Sequence, residues 1–294
     1  MPDDYAMRRV AGVRAELGES PVWDEQKGVL YFVDITRGRI HVLLQNGKTE
    51  TVYESVARIG ALALSDKGNL IFTEDARVAM LDLQAGEVSH ISPAIHDDTG
   101  CRFNDGACDP QGRFITGLMH EGPDRSPGEL YRFGCSGDAY VIQQGIALPN
   151  GLAWSDDGNT LYFVDSIACS IFQAAYNAYG MPEQIRLFVK TPTGLGRPDG
   201  IALDKEGGLW VCQFNGGCLL RYDRNGCLSE RVVMPVPRPT SCCFGGEGLG
   251  TLFITTARFA MTVPELIQYP NAGDLYAINP GISGNSRYRF KECQ

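Results

Sequence analysis

A hairpin that recurs six times limits what this chain can fold into. Its clearest copy is Arg197-Pro198-Asp199-Gly200-Ile201-Ala202-Leu203-Asp204-Lys205-Glu206-Gly207-Gly208-Leu209-Trp210. A tight bend leads into a short apolar run, an Asp-x-x-Gly turn and a second apolar run, which is the pattern of a β-hairpin. Glu19 opens ESPVWDEQKGVLYFVD, Gly60 opens GALALSDKGNLIFTED and Asn104 opens NDGACDPQGRFITGLM. Asn150 opens NGLAWSDDGNTLYFVDS and Thr240 opens TSCCFGGEGLGTLFITT. Successive openings lie 41 to 49 residues apart.

Each hairpin is followed by a third apolar run ending in a turn, and most by a fourth, such as TETVYES or QIRLFVK. Four short antiparallel strands repeated six times predict an all-β, six-bladed β-propeller. The last repeat runs short after Tyr276, and the segment Arg8–Leu17 precedes the first hairpin. An N-terminal strand from that segment is expected to complete the last blade, because an open ring would expose sheet edges. Stacked repeats share one continuous core, so residues 1–294 are expected to form a single domain, although their number alone would suggest two.

Thirty-five acidic against 26 basic residues give a net charge of −9. An acidic chain with no basic stripe points away from nucleic acid. No apolar run approaches the ~18 residues of a membrane span, and MPDDYAMRR lacks the apolar core of a signal peptide. A cytoplasmic location is expected. None of the ten cysteines falls in Cys-x-x-Cys spacing. They are expected to be free thiols, with Cys108, Cys212, Cys242 and Cys243 acting as small apolar filler in strands.

Aligned at their openings, the six units form a column: Glu19, Gly60, Asn104, Asn150, Asp199 and Thr240. Four of the six are acids or amides. The first strand runs away from the column and the second returns to it. The second strands end at Asp34, Glu74, Met119-His120-Glu121, Asp165, Gln213 and Thr256. Innermost strands line the channel of a propeller, so both sets are expected at one channel mouth, with ordinary solvated turns at the other. Two long loops, His90 to Phe103 and His120 to Gly128, reach the same mouth.

Oxygen donors from Glu, Asp and Asn, without paired His or Cys, suit a hard divalent cation such as calcium, magnesium or manganese. A cation would also relieve the repulsion between Glu19 and Asp199. The competing reading is that these residues cap turns through their own side chains.

GESPVW, RFNDG, LPNGLAWSDDGNTLYFVDS, RPDGIALDKEGGLW and TSCCFGGEGLGTLFITTAR occur in this order over nearly the whole chain. Together they resemble the senescence marker protein (regucalcin)/gluconolactonase/luciferin-regenerating-enzyme family, with TTAR…LIQYPNAGDLYAINPG most like bacterial sugar lactonases. The resemblance implies one divalent metal ion, with calcium, zinc, manganese, magnesium and iron(II) all open, and hydrolysis of a sugar lactone to its sugar acid in carbohydrate catabolism. It implies Glu19, Asn150 and Asp199 as metal ligands and Asp199 as the base that takes the proton of water. It implies Arg102, Asn104 and Glu121 as substrate contacts. His120 departs from the small residue the family usually carries before that glutamate.

Arg102 and Glu121 supply donors and acceptors that suit a neutral polyol lactone. A phosphorylated or sulfonated sugar would instead ask for a basic cluster, and the sequence offers only Arg102 near this mouth, with Arg197 and Arg258 as further candidates, so a neutral lactone is expected. Arg102 could instead pair with Asp97 or Asp98 in its own loop. A calcium-binding regulatory protein, a phosphotriesterase-like hydrolase and a pure binding platform are the competing functions.

Overall fold

Six four-stranded antiparallel sheets make up the computed structural model, which describes residues 5–95, 100–122 and 126–293. Each sheet is one blade of a β-propeller. The innermost strands are Gly18–Asp24, Leu62–Leu64, Cys101–Cys108, Pro149–Trp154, Arg197–Leu203 and Pro239–Gly245, in blades one to six. Each packs against the next and the sixth packs against the first, so the ring is closed. The N-terminal strand Arg8–Ala11 is the outermost strand of blade six, pairing antiparallel with Leu275–Ile278 through Arg8 and Ala277. The expected closure is therefore present, and it joins the N-terminal strand to the last strand of the ring in one sheet.

The blades hold together because both faces of each sheet are apolar. Val29–Asp34 is buried along its whole length, as is Leu209–Gln213. Six clusters of buried side chains result, each shared by two adjacent blades. In one, Phe103 of blade three meets Phe133 edge-on at 5.7 Å beside Ile71 and Val78 of blade two. Burial at about 25 cal/mol per Å² of apolar surface makes these inter-blade seams the main source of stability. Among the described residues the one α-helix, Val263–Gln268, is too short to cross a membrane.

The far mouth differs from the sequence expectation of plain solvated turns. After Ile278 the chain runs across it and bonds to successive blades. Lys205 N–H donates to Ser283 O at 2.9 Å, Phe290 N–H to Leu64 O at 2.8 Å and Lys291 N–H to Gly112 O at 2.8 Å. Phe290 is buried and Arg287 donates to Cys242 O at 2.9 Å. The tail is fastened by a disulfide between Cys135, in the outer turn of blade three, and Cys293. The expectation of ten free thiols is corrected there, since those two cysteines meet only once the tail has wrapped the ring. Cys108, Cys212, Cys242 and Cys243 are buried and free, as expected. Burial pushes the thiols of Cys108, Cys212 and Cys243 upward in pKa, which suits packing rather than reactivity.

Candidate active site

A local irregularity aims the column residues into the channel. The pairing of first and second strands slips at the column in five blades: from Glu19, Phe103, Asn150, Pro198 and Pro239 onward. Such bulges re-aim side chains at sheet ends. Space for them comes from small neighbours. A Cβ on Gly200 would collide with Ser241, and one on Gly151, at φ 39°, would lie 2.6 Å from Asp199 O.

The column lines one cavity of about 530 Å³ at the channel mouth, within the range of small-molecule sites. Glu19, Asn104, Asn150 and Asp199 all line it, with Arg102 and Glu121. The structure thus brings every expected site residue together. The two remaining column positions are structural. Gly60 lies where a Cβ would strike Phe103 O, so the backbone that carries Asn104 can sit against blade two. Thr240 donates to Gly18 O at 2.6 Å and bonds Thr255 Oγ1 at 2.9 Å, holding the strand that presents Glu19.

A hydrogen-bond chain orients the amides. Arg102 Nη1 donates to Asn104 Oδ1 at 2.8 Å, and Asn104 Nδ2 donates to Asn150 Oδ1 at 2.9 Å and to Pro149 O at 2.9 Å. Asn150 Nδ2 donates to Ser166 Oγ at 3.0 Å, and Ser166 Oγ donates to Pro198 O at 2.7 Å. The Asn150 amide is thereby fixed in orientation, and its carbonyl oxygen, which accepts from Asn104, has a second lone pair to offer. Ser166 was not singled out in the sequence, where it reads as one more turn serine after a strand.

Three buried carboxylates share this region: Glu19, Asp199 and Asp105. Burial, then the charges of Asp199 and Asp105, hold Glu19 well above the usual carboxylate range. Burial and Asp105 do the same to Asp199, against the opposing pull of Arg197 and Arg102. Glu19 accepts the Ser20 N–H at 2.8 Å. Asp105 is committed to backbone, accepting from Gly106 N–H at 2.7 Å and Gly151 N–H at 2.8 Å. Glu19 and Asp199 thus carry more acceptor capacity than their protein neighbours fill. Two such anions and a carbonyl oxygen are the donor set of a hard divalent cation. Among the described residues no three His, Cys, Asp or Glu gather as a metal cluster, and the set fits only with the amide included.

Across the cavity, Glu121 stands between two guanidinium groups. Arg58 Nη1 lies 2.6 Å from one carboxylate oxygen and Arg102 Nε 3.4 Å from the other. Arg58 also meets Asp75 at 2.7 Å. Burial alone would raise the Glu121 pKa, but the arginines outweigh it and hold the carboxylate below its ordinary value. Arg58 was missed in the sequence because it precedes the column by two residues, in a loop without a motif. Asp97 and Asp98, the other partners considered for Arg102, lie outside the described residues.

Most of the second expected ring does not face the cavity. Asp34 accepts Glu16 and Leu17 N–H at 2.8 and 3.1 Å, and Asp165 accepts Ala147 and Leu148 N–H at 2.8 and 3.2 Å. Both staple the chain entering the inner strand of their own blade. Glu74 bonds Tyr53 OH at 2.8 Å and His90 Nε2 at 3.0 Å. Of that ring only Met119 and Glu121 line the cavity. Side chains alternate along strands, so a strand end at the mouth need not point into it.

Residues 17–258 match the family model described as SMP-30/Gluconolactonase/LRE-like region. The chain belongs to that family. It is 33% identical over 271 residues to a 6-deoxy-6-sulfogluconolactonase of Pseudomonas putida, covering 91% of this chain and 92% of that protein. It is 32% identical over 277 residues to regucalcin of Xenopus laevis, covering 92% and 93%. The solved structure of a calcium-binding protein, regucalcin, from Agrobacterium tumefaciens str. C58 superposes with a TM-score of 0.91 at 24% identity, over 99% of this chain and 98% of that one.

Proposed function

We propose that the protein is a metal-dependent sugar lactonase, hydrolysing a lactone to its hydroxy acid in carbohydrate catabolism, with a cytoplasmic location. The observation that carries this is that Glu19, Asn150 and Asp199 line one sugar-sized cavity together with the Arg102–Glu121 pair. Glu19, Asn150 and Asp199 would hold one divalent ion. When bound, such an ion supplies a Lewis acid for the lactone carbonyl and lowers the pKa of a water molecule.

The protein's own groups do the rest. Asp199 accepts the proton of the attacking water, and that proton is delivered to the ring oxygen as the acyl C–O bond breaks. Arg102 and Glu121 hold the sugar hydroxyls, as donor and acceptor. Asn104, locked between Arg102 and Asn150, keeps one edge of its amide on the metal ligand. Confining both partners in one cavity converts a bimolecular encounter into a local one.

The regulatory reading shares the ion site, and the similar identities to lactonase and regucalcin relatives leave the two to be separated by turnover. The cavity favours hydrolysis, since an ion-binding role alone does not call for a space of about 530 Å³ lined by Arg102 and Glu121 beside the ion ligands. The test is hydrolysis of a panel of aldonolactones, with chelator and with calcium, zinc, manganese or magnesium added back. Turnover lost to chelator and restored by an ion supports the proposal; undiminished turnover in metal-free protein refutes the mechanism.

A further inference from the structure

Charge matching around the cavity leaves one cation over. Six charged side chains line it among the described residues: Glu19, Asp199 and Glu121, with Arg58, Arg102 and Arg197. Arg58 and Arg102 are matched by Glu121 and Asp75. Below the mouth, Asp105 is offset by Arg287, whose charge lowers its pKa against the raising effect of burial. A divalent ion would match Glu19 and Asp199. Arg197 remains.

Among the described residues the Arg197 guanidinium has no carboxylate within 4.0 Å and no hydrogen-bond partner, although its backbone pairs with Phe214 in the sheet. It lies over the Phe214 ring, 5.5 Å from its centre. Arg238 also lies over that ring, at 5.6 Å, and is held by Asn215 at 2.6 Å and by Glu265 at 3.7 Å. Phe214 therefore supports the Arg197 guanidinium from one side, in the manner of a cation–π contact, while its donor edges keep their capacity. Arg197 stands in blade five. Arg58, Arg102 and Glu121 stand at blades two and three, on the opposite side of the ring.

We propose that Arg197, backed by Phe214, is a specificity-determining residue for a sugar lactone bearing one anionic substituent remote from its carbonyl. A sulfonate is the source of that charge we favour. A guanidinium presents a planar fork of donors that pairs with such oxyanions. The inference rests on the lactonase reading for the identity of the ligand, and it moves the expected substrate from a neutral aldonolactone to an anionic one. One unmatched guanidinium corresponds to one negative charge, so a sulfonate is expected to be preferred over a phosphate dianion.

The experiment compares wild type, Arg197→Gln and Arg197→Lys on glucono-1,5-lactone and its 6-deoxy-6-sulfo and 6-phospho derivatives, with added metal. The expected wild-type kcat/KM is at least tenfold higher for the sulfo lactone than for the neutral one. In Arg197→Gln that ratio falls at least tenfold, and Arg197→Lys recovers part of it. Raising the ionic strength lowers the wild-type ratio. A phospho lactone preferred over the sulfo lactone would assign the charge to phosphate and overturn the sulfonate assignment. A wild-type ratio at or below one, or a ratio in Arg197→Gln within threefold of wild type, overturns the proposal. Calorimetric binding of 6-deoxy-6-sulfogluconate and of gluconate to the metal-loaded proteins separates the two readings. If no lactone is turned over, the lactonase reading fails, and tighter sulfogluconate binding that is lost in Arg197→Gln still upholds the anion site. Equal binding of both acids overturns it.

Discussion

Asn104 Nδ2 donates to Asn150 Oδ1 at 2.9 Å, joining two residues 46 positions apart on adjacent blades. One is an expected ion ligand and the other an expected substrate contact, so the two roles are coupled through an amide–amide bond. The outer anchor of that pair is Ser166, which receives Asn150 Nδ2. Ser166→Ala removes the hydroxyl that this buried N–H and Pro198 O share, at about 1–3 kcal/mol for a buried group left unsatisfied. The expected result is metal affinity weakened roughly three- to tenfold, an effect of about 1 kcal/mol, with the propeller intact. Titration of metal-free protein with manganese measures it; unchanged affinity would show that the Asn150 amide needs no anchor.

Asp199→Ala is expected to abolish turnover and metal binding together. It removes one of two anionic donors from a site with three. Asn150→Ala removes a neutral oxygen and should weaken binding less. Calorimetry with calcium and manganese on both variants ranks them. A variant lacking Asp199 that binds metal as tightly as wild type would move the ion elsewhere in the cavity.

Arg102→Ala tests the expected substrate contacts. Arg102 is buried, donates to Asn104 and pairs with Glu121. Its loss should lower kcat/KM by more than tenfold, since Glu121 loses one of its two cations and the lactone loses a donor. A change within threefold, under about 1 kcal/mol, would make Arg102 a support for Asn104 alone.

The architecture was legible because a propeller writes itself into sequence as period. Glu19, Asn104, Asn150 and Asp199 could be found because equivalent positions of equivalent hairpins must meet at the channel. What escaped lies off that register. Arg58 sits in an interblade loop, and Ser166 beyond the end of a strand. The direction in which Asp34 and Asp165 point is set by local turn geometry that spacing does not encode. Gly60 has no side-chain oxygen and the Thr240 hydroxyl is already committed, and packing explains both: one admits the backbone of blade three, the other clamps Gly18. The tail from 279 to 293 carries no repeat, so nothing in its sequence announced that it crosses the far mouth.

His41 predicts an acid limb in stability. It is buried in the third strand of blade one, 5.2 Å from the Phe32 ring, with Thr51 Oγ1 3.1 Å from Nδ1. Burial lowers its pKa below 6.5, helped by Arg39 and Arg37 and opposed by Asp34 and Glu54. The folded state therefore prefers neutral imidazole, while the unfolded chain takes up a proton near 6.5. Its stabilising contribution is full above that value and is lost as pH falls through 6.5 toward the folded pKa, with a slope of at most about 1.4 kcal/mol per pH unit. His41→Leu should flatten this part of the profile. Denaturant unfolding between pH 5 and 7.5 checks it, and an unaltered slope in the variant would assign the acid limb to other groups.

The Cys135–Cys293 bond closes a loop of 158 residues, spanning the last three blades and the tail. Cross-linking positions so distant removes a large share of the unfolded chain's freedom, and native disulfides typically contribute about 2–4 kcal/mol. The tail it secures spans the far mouth through backbone bonds to Leu64, Asp66 and Gly112 and carries Arg287 toward Asp105. Cys135→Ser is expected to lower unfolding free energy by about 2–4 kcal/mol, and reductant should destabilise wild type to a similar extent while leaving the variant unmoved. The bonds of Phe290 and Lys291 remain in the variant, so the tail should stay seated under native conditions and turnover at the opposite mouth should persist. Denaturant curves with and without dithiothreitol, read beside lactone turnover, separate the two effects. Wild-type stability that is insensitive to reductant would show that the bond adds nothing to what the backbone contacts supply. Turnover that disappears with the disulfide would mean that the tail supports the acid cluster from below, through Arg287 and Asp105.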